Sequence, residues 1–498
     1  MGSPASSGKW LALLAALLGW MFDGMEMGLF PLVARSALTE MLGANEVEIA
    51  KWYGVVTAAF LIGAATGGVL FGWLGDKIGR VRAMTLSVLV YSLCSGLSAA
   101  SAAPWHLAAL RFLGALGMGG EWALGVALVM EVWPNASRAW LAGLIGAFGN
   151  LGYTACGTIA LALNHRGDQL AGGLVSVGLP EAWAATLTAN GYWRLLLLMG
   201  AGPALLTLLI RMFVPESEKW SQAQEAGTAS HWSGRDLVGV LVGATAATGL
   251  VGVWAGDDWL WAGVVPVPAK FAVSAVLLAV VTLGYLFPVR QYLSRADLSE
   301  ADRRHTLLRM LLAAGISGVP LLGTWAGLMW MYQWVGKLPD GDAKDVRPVV
   351  QILSSVAAAV GCVAGAVLAG GFGRRPVYAA LCVLSLGTMA AFYNTNETYG
   401  PRFLLSAGVL SLVSAAFYGW LPLYLPELFR TAVRATGQGF GFNFGRILAA
   451  VGALQVSPLL EAFGGSYPKA GTVVAGVYVV GLVLIAVAPE TKGKELPA

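Results

Sequence analysis

Apolar positions in this chain fall into uninterrupted blocks of about 20 residues, separated by short polar connections, from one end to the other. A helical block of that length crosses roughly 30 Å of hydrocarbon at about 1.5 Å per residue. Blocks at 10–34, 52–74, 83–103, 104–130, 139–163 and 192–213 give a first set of six predicted membrane helices. A second set of six covers 307–334, 347–371, 376–393, 401–425, 433–456 and 470–488. Two further apolar stretches, about 237–255 and 268–289, flank the acidic, tryptophan-rich turn GDDWLWAG and read as an inserted hairpin. The pattern predicts an all-α polytopic membrane protein with 14 transmembrane helices. A six-helix bundle occupies 1–213, cytoplasmic linkers and the extra hairpin 214–306, and a second six-helix bundle with a cytoplasmic tail 307–498.

Charge supplies the orientation. Lys77, Arg80, Arg82, Arg138, Lys219, Arg235, Arg290, Arg295, Arg303, Arg304, Arg374 and Arg375 fall in connections on one side. The other side is richer in acid, with Glu40, Glu46, Glu48, Asp257, Asp258, Asp340, Asp342 and Asp345. Basic connections face the cytoplasm, so both termini are expected there, in a plasma membrane or a bacterial inner membrane. Residues 9–18 imitate a signal peptide only briefly; the apolar run continues past them and reads as an uncleaved first helix.

Composition narrows the function. Of 498 residues, 57% are hydrophobic and 12% charged, and the basic residues are scattered over short loops rather than gathered in one patch. Nucleic-acid binding is not indicated. The four cysteines lie inside apolar runs without ligand-like spacing, so neither a metal nor a disulfide is expected. No phosphate-binding loop motif appears, which argues against direct coupling to ATP. No cofactor and no enzymatic activity are expected. The partners are a small-molecule substrate, protons and the lipid bilayer, with the chain acting as a monomer.

The two halves repeat one another. EVWPNASRA at 131–139 matches ELFRTAVRA at 427–435, and LGDKIGR at 74–80 matches LAGGFGR at 368–374, at offsets of 296 and 294 residues. Such order points to a duplicated six-helix unit. At these residues the chain resembles the major facilitator superfamily. GDKIGR after the second helix, RFLGALGMGGEW in the fourth, VPESEKW after the sixth, LPELFRTAVRATG and the tail PETKGKEL carry the resemblance over nearly the whole length. DGMEM at 23–27 resembles the DGxD signature of proton-coupled organic-acid symporters. Fourteen helices with a central hairpin resemble the sialic acid:proton symporter branch. Glu26 stands where that signature has a second Asp, and GGEW where GGEY is more familiar. The resemblance implies two bundles that rock about a site at the membrane midplane.

The candidate chemistry lies where charge enters the apolar blocks. Asp23 stands about 21 Å from the cytoplasmic side and Glu26 about 4.5 Å further out, while Arg111 on the antiparallel fourth helix comes to a similar depth. A lone charge at a helix centre costs roughly 2.5–3.5 kcal/mol, so these groups must face protein or water. The expected pair is Asp23 with Arg111, either a proton switch or a permanent salt bridge; the resemblance to sugar:proton symporters implies the first. Glu121 reads equally as a second protonatable group and as a polar residue at the Gly-rich contact GMGGEW.

Arg446, in GFNFGRILAA, is the candidate anchor for a substrate anion, because its fork matches a carboxylate. Asn443, Asn150, Trp325, Tyr332, Gln333 and Tyr418 are the accompanying binding candidates, offering amides, or aromatic faces with polar tips. Gly75, Asp76, Gly79, Arg80, Glu131, Arg138, Arg374, Glu427 and Arg434 are expected to form an inner gate in water-accessible connections. Each exposed charge pair there would be worth only about 0–1 kcal/mol. Asp76 is expected to favour the N-terminus of the third helix. Its counterpart is Gly370, so the gate should be asymmetric.

The reading that follows is secondary active transport: proton-coupled symport of an organic anion such as sialic acid, another sugar acid or a carboxylate. A proton-independent facilitator or exporter of neutral sugars or drugs, and a transporter-like receptor, are the alternatives.

Overall fold

The computed structural model describes residues 4–133, 138–166, 169–212, 214, 216–227, 231–255, 266–296, 298–341, 344–454, 460 and 462–497. The turn GDDWLWAG with Asp257 and Asp258, and Asp342, lie outside them.

The first bundle is built from α1 (Pro4–Leu42), α2 (Glu46–Ile78), α3 (Arg80–Ser98), α4 (Pro104–Val132), α5 (Arg138–Arg166) and α6 (Trp193–Arg211). The hairpin is α7 (Leu237–Ala255) and α8 (Val267–Arg295). The second bundle holds α9 (Glu300–Trp325), α10 (Val346–Phe372), α11 (Arg374–Thr395) and α12 (Pro401–Tyr424). It is completed by the pairs α13 (Arg434–Asn443) with α14 (Gly445–Leu454), and α15 (Tyr467–Ala475) with α16 (Val477–Val487). Among the described residues, twelve helices are long and apolar enough to cross a membrane. They include α7 and α8, but neither α6 nor the α13–α14 pair is among them.

Three helices depart from the unbroken spans the apolar pattern predicts. The expected span to 334 ends as a helix at Trp325, and short turns at Leu328–Trp330 and Met331–Trp334 follow. The eleventh core helix divides at Phe444, and the twelfth at Gly476. Hydrophobicity reports only that a segment is apolar, and these breaks leave it so.

Within the first bundle α2 and α3 pack on α4, and α1 on α5; within the second, α10 and α11 pack on α12, and α9 on α13 and α14. The bundles meet along two seams, α5 against α10 and α12, and α2 against α13 and α14. The hairpin lies over the second seam, with α7 touching both α2 and α14. A bidentate Arg295–Asp236 pair, at 2.5 and 2.9 Å, closes its basic end, and Trp232 stacks on Tyr292. The Tyr285 hydroxyl shares a 2.6 Å hydrogen bond with Thr66 of α2 in the apolar interior.

Candidate functional site

A cavity between the bundles holds about 1070 Å³ of atom-free space, part of it open to solvent, and is lined by α1, α4, α5, α9, α10, α12 and the α13–α14 junction. That size suits a small organic molecule. The Asp, Glu, Lys and Arg residues that line it are Asp23 from α1 and Arg446 from α14, one from each bundle. The Asp23 charge acts on the Arg446 guanidinium.

Arg446 is only 5% exposed. Its Nη1 donates to Asn443 Oδ1 over 2.6 Å, and the guanidinium lies over the Phe442 ring, 5.3 Å from the centroid. Its Nε is buried with no hydrogen-bond partner among the described residues. A buried charge-bearing donor left without an acceptor is costly and suits an anion that arrives with a ligand.

The acid that meets Arg111 is Glu26, not Asp23: Arg111 Nη1 donates to Glu26 Oε1, with both side chains almost fully buried and the guanidinium packed over the Phe30 and Phe60 rings. Depth alone could not separate the two carboxylates, because about 4.5 Å along an axis lies within the reach of an arginine. Rotation separates them: three residues turn the helix about 60° short of a full turn, so Glu26 faces α4 while Asp23 faces the cavity. Gly24 lets α1 press on α5, where a Cβ would stand 1.8 Å from the Gly149 carbonyl oxygen.

Of the other binding candidates, Asn150, Trp325, Tyr332 and Tyr418 line the cavity. Asn150 Nδ2 donates to the Gly146 carbonyl at 3.0 Å and contacts Cys362 Sγ at 3.4 Å. Tyr418 hydrogen-bonds Thr324 Oγ1, and Tyr332 shares a bond with Ser354 Oγ. Three candidates do not line it. Asn443 is fully buried behind Arg446; Gln333, beyond the break in the seventh core helix, turns toward Tyr53; Glu121 is fully buried at the glycine contact of α4. The cavity also takes Trp20, Trp122, Tyr153 and Phe442, which the sequence reading missed. Tyr153 could have been found, since it stands three residues from Asn150 on the same helical face.

At the basic end the charged gate candidates form a buried four-residue network and a second buried pair rather than exposed pairs. Arg80 Nη1 donates to Asp76 at 2.6 Å, Arg80 Nη2 to Glu131 at 3.4 Å, and Arg434 Nη1 to the same Glu131 oxygen at 2.8 Å, with all four side chains inaccessible. Arg374 donates to Glu427 at 2.6 Å, and Arg138 faces Glu427. The expected small worth of exposed pairs does not apply, because breaking a buried pair leaves a charge uncompensated at about 3–5 kcal/mol.

Asp76 also serves a different helix from the expected α3. Its carboxylate accepts from the backbone N–H of Ala435 and Thr436, at 3.3 and 2.8 Å, and so caps α13 in the other bundle. At the related seam Gly370 meets Ala139 at the start of α5, and no carboxylate comes from position 370. The two halves repeat the corner before α3 and α11: Gly79 and Gly373 adopt φ of 112° and 105°, a region that favours glycine. Glu216 and Glu490 accept from the first backbone N–H groups beyond them. Gly75 admits Leu124, whose Cδ2 would lie 2.0 Å from a Cβ.

Comparison with known proteins places this architecture. Residues 11–236 and 331–498 match the family described as Sugar (and other) transporter. A putative metabolite transport protein of Haemophilus influenzae is 26% identical over 506 residues, covering 100% of both chains. The putative niacin/nicotinamide transporter NiaP of Bacillus subtilis is 26% identical, over 92% of this chain and 89% of that one. The sialic acid transporter NanX of Escherichia coli is 29% identical over 42% of this chain and 44% of its own length. Among solved structures, the proton:xylose symporter XylE superposes with a TM-score of 0.68 at 18% identity, over 99% of this chain and 98% of that one. The human organic anion transporter MFSD10 gives 0.64 at 17%, over 97% and 100%. The all-helical bundle pair, the repeated corners and the family match agree: the chain belongs to the sugar (and other) transporter family and is a transporter of the major facilitator superfamily.

Proposed function

We propose that this transporter carries a small organic anion together with a proton, by alternating access through the cavity between its bundles. The observation that carries the reading is Arg446: buried, lining the cavity, with a donor that no described group satisfies. Its guanidinium would take the substrate carboxylate, and Trp325, Tyr332, Tyr418 and Asn150 would hold the remainder. Asp23 would be the proton carrier. Ionised, it competes with the substrate for the charge of Arg446; protonated, it leaves Arg446 to the anion, so anion and proton load together. Glu26 with Arg111 would fasten α1 to α4 beside this site. Niacin, named together with nicotinamide for one relative, and sialic acid, named for another, are both carboxylic acids.

The hairpin with α6 and the divided α13–α14 would complete 14 membrane spans, with the basic end and both termini in the cytoplasm. The Asp76–Arg80–Glu131–Arg434 network and the Arg374–Glu427 pair would form the cytoplasmic gate, here closed.

Tryptophan fluorescence of the purified protein tests the site, since Trp20, Trp122 and Trp325 line the cavity. Titration with nicotinate, benzoate and N-acetylneuraminate should show saturable quenching by at least one acid. The corresponding amide or alcohol should bind weakly. Arg446→Gln should lower the affinity by about 30-fold or more, as expected for removing one member of a buried charge pair. Equal affinity for acid and amide would reject the anion site.

A further inference from the structure

Arg446 owes its placement to groups on the opposite bundle. Asn443, whose Oδ1 accepts from Arg446 over 2.6 Å, is itself held by two donor contacts of its amide nitrogen. One goes to the Gly439 carbonyl in its own helix, at 3.1 Å. The other crosses the seam to the Gly119 carbonyl of α4, at 3.3 Å. Gly68 of α2 closes over the same amide: a Cβ there would stand 2.2 Å from its nitrogen. The ring beneath Arg446 is fixed in the same way, since Phe442 stacks on Trp122 of α4 with centroids 3.7 Å apart and planes within 9°. One turn nearer the basic end, Gly439 lies against Gly68, and Asp76 of α2 caps α13.

We propose that Asn443 is a positioning residue that makes the anion affinity of Arg446 depend on closure of the basic end. With α2 and α4 seated on α13, the Asn443 amide is pinned on both sides and presents a fixed acceptor to Arg446, which lines the cavity with its Nε unpartnered among the described residues. When the bundles part at that end, Asn443 loses Gly119 and Phe442 loses Trp122. The arginine then gains freedom, the cost of ordering it around an anion rises, and the anion leaves toward the open side. Linkage makes the effect reciprocal, so a bound anion favours the closed basic end. The proposal rests on Arg446 as the anion anchor and adds to it the device that switches its affinity.

The test is a double-mutant cycle on the full-length protein, read as affinity for nicotinate, benzoate and N-acetylneuraminate by tryptophan quenching. Asp76→Asn loosens the basic end without touching the cavity; Asn443→Leu removes the amide while keeping its branched arrangement of heavy atoms; Asn443→Ala is the second variant at that site. Melting and gel filtration establish that each is folded. Each single change should lower affinity by about fivefold or more, and Asp76→Asn should have less than about a twofold effect once Asn443 is replaced. Losses that simply multiply in the double variants would overturn the coupling. So would an effect of Asn443→Ala that Asn443→Leu does not reproduce, since packing would then account for it. Arg446→Gln separates the two levels. If it binds all three acids as the unaltered protein does, or if the unaltered protein binds none, the anion anchor falls and the coupling with it. If Arg446→Gln abolishes binding while the cycle is additive, the coupling alone falls.

Discussion

Arg111, its guanidinium over two phenylalanine rings, donates to Glu26, while Asp23, three residues away on the same helix, faces the cavity that holds Arg446. The two carboxylates of DGMEM therefore belong to different parts of the molecule.

Glu26→Gln leaves the buried Arg111 without its carboxylate. The expected outcome is a loss of about 3–5 kcal/mol, read as a lower unfolding midpoint in detergent. Replacing both residues by Met should recover most of the loss, because an apolar pair of similar size avoids the desolvation cost. Asp23→Asn, facing the cavity, should cost far less. A larger loss in Asp23→Asn than in Glu26→Gln would reverse the assignment.

At the basic end, Glu131 accepts from Arg80, Arg434 and Ser217 together. Glu131→Gln strands two arginines and should shift the protein toward opening at that end. Cys362, fully buried against the cavity-lining Asn150, reports the change. With Cys94, Cys156 and Cys382 replaced by Ser, N-ethylmaleimide should label Cys362 at least about tenfold faster in Glu131→Gln, the response to a shift of about 1.4 kcal/mol. An unchanged rate would remove Glu131 from the gate.

Glu490 lies beyond the last membrane span. Burial acts to raise its carboxyl, but the backbone N–H groups of Arg374, Arg375, Lys492 and Thr491 outweigh burial and hold it below the usual range. A depressed carboxylate contributes stability above its unfolded value, about 4.3, and that contribution is lost as the pH falls through the folded value. Glu490→Gln should therefore cost about 0.5–1 kcal/mol at pH 7, as for a lost helix cap, and the difference should close below about pH 4. A gap that stays constant with pH would mean that the charge plays no part.

Much of this was legible in the sequence because it rests on one-dimensional signals. The apolar blocks marked the spans, and the repeats at 74–80 and 368–374 marked two corners with the same glycine and the same carboxylate-capped helix start. Arg446, Asp23, Asn150 and three aromatic candidates, Trp325, Tyr332 and Tyr418, were visible as polar or ring-bearing positions at mid-depth. What the sequence did not show was rotation about a helix axis and partners across a seam. Glu26 and Asp23 differ by the roughly 60° by which three residues fall short of a helical turn, and Asn443 differs from Arg446 by facing α4 instead of the cavity. Asp76 looked like a cap for the helix that follows it; tertiary packing gave it the N-terminus of α13, about 360 residues away in sequence.

The central claim, symport of an anion with a proton taken up on Asp23, is tested most directly in proteoliposomes containing a trapped pH dye. The added acid is whichever of nicotinate, benzoate and N-acetylneuraminate binds the purified protein. Its entry should acidify the lumen and should accelerate under an inward proton gradient. Asp23→Asn should exchange the labelled acid across the membrane without moving protons. Entry of the acid through the unaltered protein with no change in lumenal pH would contradict the account.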